Sequence, residues 1–221
     1  MTDDTPPEDS KLTRTKQRWA QEGKFLTGRI ARPETERLPP GQHLVKDWPV
    51  LDLGQEPNLA LPTWRLDAFG LVETKSSWSW DEFRALPQAQ FTSDIHCVTT
   101  WSRYDNRWDG VSTHDFLDLV RPRPEARFVM LHSADGYTTN LPLEDFAAMD
   151  ALLAHGWNGA PLSREHGGPM RLVVPHLYFW KSAKWLQRIE FIADDKAGFW
   201  EERGYHMRGD PWKEQRYTDD P

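Results

Sequence analysis

Cys97 is the only cysteine in this chain of 221 residues, and it directly follows His96. Because it is alone, it cannot form a disulfide within the chain or supply the several cysteines of a zinc knuckle or an iron–sulfur site. Three roles remain open from the residue type: a nucleophile, a small buried hydrophobic residue, or the single thiolate ligand of a metal that brings other ligands with it.

A second group of chemically capable residues lies further along the chain, in residues 164–188. This window contains five basic residues and one acidic residue, a local charge of +4 (5 − 1) in a chain of formal charge −7. Clustered basic side chains with glycine and serine backbone donors suit a phosphate-bearing ligand. A solvated basic face would have the same composition, so charge alone leaves both interpretations open. The five basic residues are Arg164, Arg171, Lys181, Lys184 and Arg188.

Two motifs in this window are more specific than its charge. His166 begins H-G-G-P-M-R-L-V-V-P, and Lys181 begins K-S-A-K-W. Together with a single cysteine upstream, followed by W-D-G-V, they resemble the molybdopterin-binding signature of the sulfite oxidase family. The resemblance covers about residues 40–192. It implies an α+β fold, namely a sulfite oxidase-type molybdopterin-binding domain with mixed, β-rich sheets.

The resemblance implies molybdopterin carrying one molybdenum as the cofactor, and Cys97 as the protein ligand of the metal. The dithiolene of the cofactor supplies two sulfurs, so the protein needs to give only one soft thiolate. By motif position, His166 and Arg171 contact the cofactor. The pterin and phosphate end is bound by Lys181, Ser182 and Lys184.

Four further cofactor contacts are expected from the resemblance, each with a plainer alternative. Ser133 and Asp135 lie at a strand end, where Asp135 is also the natural first residue of an Asp-Gly turn. Trp108 belongs to W-D-G-V, and core packing would equally explain it. His43 precedes the first long strand, where a surface histidine is the alternative.

The activity implied is a two-electron oxygen-atom transfer on a small oxyanion or S-oxide substrate. The run after Cys97 is V-T-T-W-S-R, whereas sulfite oxidases have an arginine-rich run there. Arg103 could still hold an anion, and Trp101, Tyr178 and Trp180 suggest an aromatic mouth. We therefore expect Cys97, Arg103 and Tyr178 as catalytic residues, with electrons exchanged with a separate electron-transfer protein.

Two other functions fit parts of the sequence. A thiol hydrolase or transferase would use Cys97 as nucleophile with His96, His114 or His132 as base. A non-catalytic module would bind molybdopterin or another phosphate-bearing ligand through the basic window without needing Cys97.

Composition excludes some classes of partner. The net charge of −7 argues against nucleic acid as a partner. The N-terminus M-T-D-D-T-P-P-E-D-S lacks the apolar region of a secretion signal, and no stretch approaches the roughly 20 apolar residues of a membrane span. We therefore expect a cytoplasmic protein.

The chain is expected to comprise a charged N-terminal extension (1–40), the cofactor domain (41–192) and a tail packed on it (193–221). Ser79 and Glu82 form the pattern of a helix capping box, and Pro142 suits the first turn of a helix that stops at Gly156. Apolar alternation and turn residues indicate the other elements. The predicted helices are 11–25, 79–86, 112–120 and 142–155, the strands are 64–72, 91–98, 127–133, 170–174 and 186–192, and 38–54 is an ordered loop.

Overall fold

The computed structural model describes residues 36–221, so the predicted helix 11–25 and most of the predicted extension lie outside the described residues. Within this range the α-helices are α1 (Trp80–Ala85), α2 (Thr113–Val120) and α3 (Leu143–Phe146). The strands are β1 (His43–Leu44), β2 (Arg65–Gly70), β3 (Ser76–Ser79), β4 (Ala89–His96), β5 (Trp101–Ser112), β6 (Phe128–Ser133), β7 (Thr138–Pro142), β8 (Leu152–Trp157), β9 (Ala160–Pro161), β10 (Arg171–Val173) and β11 (Leu186–Ile192).

The first sheet is organised around β5. Along one edge β5 pairs antiparallel with β4, and along the other it pairs with β1 near its start and β8 near its end. β10 and β9 add antiparallel to β8. A register shift lies between Asp109 and Gly110, where a side chain at 110 would collide with the backbone of Leu153. The glycine of W-D-G-V is therefore required by the close approach of β5 and β8.

The second sheet has the order β3-β2-β11-β6-β7. β2 and β11 run parallel, and the other pairs are antiparallel. Buried side chains from both sheets and from α1 to α3 form one large core, which includes Leu66, Phe116, Leu153 and Ile189. The prediction of mixed, β-rich sheets with few helices is confirmed.

Several individual elements are also confirmed. α1 begins after Ser79, whose hydroxyl accepts from the Glu82 backbone while the Glu82 carboxylate accepts from the Ser79 backbone. The structure also contains the predicted helix that ends at Val120 and the five predicted strands, with bounds shifted by up to two residues. β11 has the predicted bounds. Residues 38–54 contain the two-residue β1 and are otherwise irregular, as expected.

The predicted helix 142–155 is wrong. Only Leu143–Phe146 is helical, and the following apolar run belongs to strand β8. Ala151 to Ala154 are all buried, because β8 lies between β5 and β10. A run that is apolar on every side has no periodicity that separates strand from helix, so sheet pairing decided its structure.

The C-terminal residues after β11 pack across both halves of the domain. Arg208 donates to both oxygens of Asp145 at the end of α3, at 3.0 Å each. Arg216 donates to the carbonyl of Val98 at 2.7 Å. Among residues 36–221, no helix is long and apolar enough to cross a bilayer.

Candidate cofactor site

Cys97 lies in the tight turn that joins β4 to β5. Its backbone N–H donates to the Trp101 carbonyl at 2.8 Å, and its carbonyl accepts from Thr100 at 3.0 Å. Thr100 has a φ of 75°, a left-handed conformation that closes such turns. The Gln42 side chain donates to the same carbonyl at 3.2 Å, and Arg216 holds Val98. The position of the thiol is thus fixed by several backbone contacts.

One cavity of about 300 Å³ opens beside this turn. It extends from Cys97 to the two sequence motifs, and it is lined by the irregular segment before β2, by the turn after β6 and by two aromatic residues of the C-terminal segment. Its lining residues are Trp48, Pro49, Leu51, Asp52, Leu53, Cys97, Val98, Thr99, Trp101, Asp135, Tyr137, His166, Arg171, Phe179, Trp180, Ser182, Ala183, Lys184, Trp185, Trp200 and Tyr205.

The two motifs pack directly on each other at one end of this cavity. A side chain at Gly167 would come within 2.9 Å of Lys184, and Gly167 has a φ of 102° that favours glycine. Trp185 donates from its backbone to the Gly167 carbonyl and from its indole to the Arg164 carbonyl. The spacing of H-G-G and K-S-A-K-W therefore has a packing reason.

Arg171 is buried and joins the two motifs. Its guanidinium donates to the backbone carbonyls of His166 at 2.9 Å and Ser182 at 2.6 Å, and it lies 4.2 Å from the ring centroid of Phe179. No carboxylate among residues 36–221 pairs with it in a salt bridge. Burial lowers the pKa of Arg171, yet the group stays protonated at pH 7. A buried cation with carbonyl partners alone favours an anionic ligand beside it.

His166 stacks on Trp48, with ring centroids 3.7 Å apart and an interplanar angle of 4°. Burial, followed by the charges of Arg171 and Lys184, lowers the pKa of His166 to about 4. Burial and the charge of Arg171 likewise lower the pKa of Lys184 to about 8. At pH 7 His166 is therefore neutral, whereas Arg171 and Lys184 carry positive charge beside the same cavity, which favours a bound phosphate there.

Ser182 and Asp135 also line the cavity, and each has a structural partner. The Ser182 hydroxyl accepts from the Val174 N–H at 2.9 Å. Asp135 accepts from the Tyr137 N–H at 3.0 Å, so it does begin the Asp-Gly turn. Burial raises the pKa of Asp135. Asp135 is therefore both a turn residue and a cavity residue.

The Cys97 thiol lines the same cavity, together with several aromatic rings. The Cys97 sulfur lies 3.1 Å from the Thr99 hydroxyl. Burial is the main cause that raises the pKa of Cys97, so the thiol is protonated in the absence of a metal. The aromatic residues of the lining include Trp101, Trp180, Trp200 and Tyr205.

Lys181 does not line the cavity, although the sequence led us to expect it at the phosphate. It is fully buried on the other side of the motif and donates to Glu201, Asn140 and the Met207 carbonyl. Because these contacts satisfy its three protons, the structure gives Lys181 a structural position rather than a phosphate contact.

Five other expected site residues also lie outside the cavity lining. Arg103 donates to the Lys46 carbonyl at 3.1 Å and lies 4.8 Å from the ring centroid of Trp157. The ring of Tyr178 is buried behind Trp180, on which it stacks at 5.4 Å.

His43 is exposed on β1. Trp108 is a core residue whose indole donates to Ser93 at 3.0 Å. Ser133 lies in β6, and its hydroxyl has no hydrogen-bond partner among residues 36–221. Six of the twelve expected residues are thus brought together: Cys97, Asp135, His166, Arg171, Ser182 and Lys184.

Sequence reasoning missed the contributions of Trp48 and of the C-terminal segment. Trp48 lies in a proline- and glycine-rich stretch without periodicity, and only its residue type signalled a buried role. Trp200 and Tyr205 lie outside the two motifs. The aromatic clusters of the tail were the available signal, but they carry no information about which cavity they reach.

The Cys97 thiol and the cations Arg171 and Lys184 line one cavity, an arrangement that suits an anionic, metal-bearing cofactor. Residues 53–200 match the family described as "Oxidoreductase molybdopterin binding domain". The chain belongs to this family of molybdopterin-dependent oxidoreductases, whose cofactor is molybdopterin with molybdenum. The lining residues fit that cofactor, because Arg171 and Lys184 would offer charge to its phosphate and Cys97 would offer sulfur to its metal.

Individual relatives support the same assignment. The chain is 48% identical over 186 residues to the uncharacterized oxidoreductase YuiH of Bacillus subtilis, a match that covers 84% of this chain and 94% of YuiH. It is 27% identical to the protein-methionine-sulfoxide reductase catalytic subunit MsrP of Campylobacter jejuni, with 70% of this chain and 59% of MsrP covered. It is 28% identical to the sulfite oxidase of Arabidopsis thaliana, with 66% and 46% covered.

A solved structure supports the fold. The sulfane dehydrogenase SoxCD of Paracoccus pantotrophus matches with a TM-score of 0.58 and 23% identity, over 63% of this chain and 40% of that one. The chain thus spans nearly all of YuiH but only about half of MsrP and of the sulfite oxidase.

Proposed function

We propose that the protein catalyses a two-electron oxygen-atom transfer at a molybdenum ligated by Cys97. The observation that carries the proposal is that Cys97 and the basic cluster of His166, Arg171 and Lys184 line one cavity. The thiol suits the metal of the cofactor, and the cations Arg171 and Lys184 suit its phosphate. When bound, the cofactor supplies the metal that accepts or donates the oxygen atom and two electrons.

The metal end of the cavity favours a neutral S-oxide over an oxyanion as the substrate. Its lining is mainly aromatic, and the nearby arginines are engaged elsewhere: Arg103 with Lys46 and Trp157, Arg216 with Val98. An oxyanion would need a cation that these arginines do not offer. The similarity to MsrP, named a methionine-sulfoxide reductase, points in the same direction.

In the reductase direction, the two electrons of the overall reaction come from an external donor. The S-oxide, two electrons and two protons give a sulfide and water. We propose that a separate electron-transfer protein supplies the electrons, which agrees with the naming of MsrP as a catalytic subunit. The role of the chain is to hold the cofactor, to exclude water with its aromatic wall and to orient the substrate.

The structure disfavours a thiol hydrolase or transferase. Within residues 36–221, the neighbour of the Cys97 sulfur is the Thr99 hydroxyl rather than an imidazole. The ring of His96 lies 2.8 Å from the Ser102 hydroxyl, and that of His132 lies 3.2 Å from Glu190. Burial also raises the pKa of Cys97, whereas a nucleophilic cysteine needs a lowered one.

The test is molybdenum and pterin analysis of protein made in a host that synthesises the cofactor. Wild type, Cys97→Ser and the exposed control Ser77→Ala are purified side by side. They are assayed with a reduced dye and dimethyl sulfoxide or nitrate, and with an oxidised dye and sulfite. We expect near-stoichiometric molybdenum and pterin in wild type and control, and loss of at least 100-fold in rate with an altered metal spectrum in Cys97→Ser.

Each other result has a defined meaning. Bound cofactor without turnover of any substrate would support the non-catalytic binding module. Absence of molybdenum and pterin from the wild type, with covalent labelling of Cys97 and metal-free activity, would support the thiol enzyme instead.

A further inference from the structure

We propose that an electron-carrier protein docks over the tip of the Cys97 turn, and that its contact face is apolar at the centre and basic around it. The proposal rests on the proposed function, which requires an external electron donor, and it names the surface and the kind of partner. We call this surface the turn face. It consists of the exposed tip residues Thr99 and Thr100 and the neighbouring exposed residues Leu44 and Tyr217.

The turn brings the candidate metal ligand close to the protein surface. Cys97 is buried, whereas Thr99 and Thr100, two and three residues later, are exposed. The Thr99 hydroxyl lies 3.1 Å from the Cys97 sulfur. One exposed residue thus separates the sulfur from solvent. Because the rate of electron transfer falls steeply with distance, a carrier seated on this tip would have a short path to a metal bound by Cys97.

Two segments of the chain contact the turn, and each presents an apolar side chain to solvent. Strand β1 donates a backbone hydrogen bond to the Thr100 carbonyl at 2.9 Å, which places Leu44 beside the turn. In the C-terminal segment, Arg216 donates to the Val98 carbonyl at 2.7 Å, and Tyr217 follows directly. Leu44 is 53% exposed and Tyr217 is 57% exposed.

Exposed apolar side chains are concentrated in these two segments. Among residues 36–221, six large apolar side chains are at least 40% exposed. Four of the six lie in residues 44–51 or at 217, and one of these four also lines the cavity. Single exposed apolar residues are ordinary, but a group beside a site marks a contact surface. The four are Leu44, Val50, Leu51 and Tyr217, and the other two are Leu61 and Leu119.

The charge of the same segments selects the kind of partner. Residues 40–56 and 212–221 carry three basic and six acidic side chains, a formal charge of −3 (3 − 6). Asp47 and Glu214 are exposed, whereas the basic Arg216 is only 14% exposed and is already bound to the turn. Such a surface attracts a carrier with a basic contact face and repels one with an acidic face.

The reaction requires a partner that leaves as readily as it binds. Reduction of one S-oxide consumes two electrons, so a one-electron carrier must dock and dissociate twice in each turnover. Complexes of this kind are held by small interfaces, below about 1,200 Å² of buried surface. A few apolar side chains among acidic ones suit such an interface, since the charges speed the encounter and the apolar centre holds the complex briefly.

The experiment measures electron transfer in the absence of any S-oxide. Cofactor-loaded protein is reduced with a viologen dye, desalted without oxygen and mixed with ferricytochrome c, a basic carrier with an exposed haem edge. One reduced molybdenum gives one electron to each of two cytochromes. Stopped-flow absorbance yields the second-order rate constant at low and high salt. Succinylated cytochrome c, which has the same haem but an acidic face, is the matched control for the partner.

Three variants test the turn face. Leu44→Ser/Tyr217→Ser removes its apolar centre, and Asp47→Lys reverses an exposed charge beside it. Leu119→Ser, at an exposed apolar residue outside both segments, is the control. None of these residues lines the cavity, so molybdenum content and dimethyl sulfoxide reduction with the reduced dye should match wild type in each.

We expect wild type to reduce cytochrome c at a rate constant that falls roughly tenfold from low to high salt, and to reduce the succinylated form more slowly. The double variant should react roughly tenfold more slowly than wild type, since it lacks the apolar centre. Asp47→Lys should react roughly threefold more slowly at low salt and equally at high salt. Leu119→Ser should match wild type.

Equal rate constants in the double variant and wild type, or a faster reaction with succinylated cytochrome c, would overturn the proposal. If the double variant loses molybdenum, Asp47→Lys decides, and an unchanged salt dependence in it would overturn the proposal. A dimeric wild type that becomes monomeric in the double variant, measured by sedimentation velocity, would assign the turn face to a second copy of this chain instead. Normal reaction with cytochrome c but no reduction of any S-oxide with the dye would overturn the S-oxide activity alone.

Discussion

Lys181 donates a hydrogen bond to Glu201 at 2.6 Å, and both side chains are fully buried. The same ammonium donates to the Asn140 side chain at 2.8 Å and the Met207 carbonyl at 2.6 Å. Glu201 in turn accepts from Thr139 and from the indole of Trp180. This network fastens the segment that carries Trp200 and Tyr205 to the body of the domain.

Removing one partner of this pair should destabilise the protein strongly. Lys181→Met leaves the Glu201 carboxylate buried without its cation, which costs about 3–5 kcal/mol of unfolding free energy. Urea unfolding at pH 7 measures the loss. The double variant Lys181→Met/Glu201→Leu should recover part of it, and the exposed Lys213→Met should be neutral. A single variant as stable as wild type would show that the pair does not fasten the segment.

Arg216 should position the turn that carries Cys97. Its guanidinium donates to the Val98 carbonyl at 2.7 Å and lies 5.0 Å from the ring centroid of Tyr178. Arg216→Ala loses a charge-assisted hydrogen bond, an effect of about 2 kcal/mol on the turn. We expect a changed paramagnetic resonance signal of the half-reduced molybdenum. Arg216→Lys should partly restore the wild-type signal. Arg203→Lys, at an exposed site, should leave the signal unchanged. An unchanged signal in Arg216→Ala would contradict the assignment.

Cofactor retention should fall as the pH rises above about 8. The pKa of Lys184 is lowered to about 8 by burial and by Arg171, so the cofactor-free protein loses this cation as the pH passes that value. A phosphate binds the protonated lysine better, and affinity must therefore decrease in the same range. Molybdenum remaining after gel filtration at pH 7 and pH 9 measures the effect.

Lys184→Gln should bind the cofactor about tenfold more weakly at pH 7, as the loss of a charge-assisted contact predicts, and should lose the step between pH 7 and 9. The exposed control Lys196→Gln should keep that step. An equal step in Lys184→Gln and wild type would assign the titration to another group.

Asp145 should contribute to stability above pH 4 and lose its effect in acid. Burial acts to raise its pKa, but hydrogen bonds from His176 and Arg208 outweigh it and hold the pKa below the ordinary 3.8. Such a carboxylate stabilises the fold above its unfolded pKa, and that contribution disappears as the pH falls through the folded pKa. Asp145→Asn should cost about 2 kcal/mol at pH 7.

The difference between wild type and Asp145→Asn in urea unfolding should shrink below pH 4. The neighbouring exposed Glu144→Gln serves as control. If the difference in unfolding free energy between the two proteins is the same from pH 7 to pH 3, the charge of the carboxylate does not account for its contact with Arg208.

Local signals in the sequence predicted much of the fold, and six of the twelve expected site residues line the cavity. The capping box at Ser79 and the alternation in β11 depend on neighbouring residues, and both were predictable. The two motifs predicted the basic residues of the cavity. Their spacing is informative because Gly167 of the first motif packs against Lys184 of the second. Lys181 could not be separated from Lys184 by sequence, since only the fold decides which lysine faces the cavity.

Other features depend on distant partners and left no local signal. β8 became a strand because β5 and β10 enclose it, although its apolar run also suits a helix. β5 is rich in polar residues and shows no clear alternation. Tyr205 lines the cavity because the C-terminal segment docks on the domain through distant partners, among them Glu201 with Lys181 and Arg216 with Val98.

The position of Trp200 and Tyr205 in the chain sets an order for assembly. Every other residue that lines the cavity occurs at or before Trp185. During translation these two residues therefore leave the ribosome after all the others, and the wall beside Cys97 is the last to be made. Until the segment with Trp200 and Tyr205 docks, the cavity is open on that side and accessible to a large rigid cofactor.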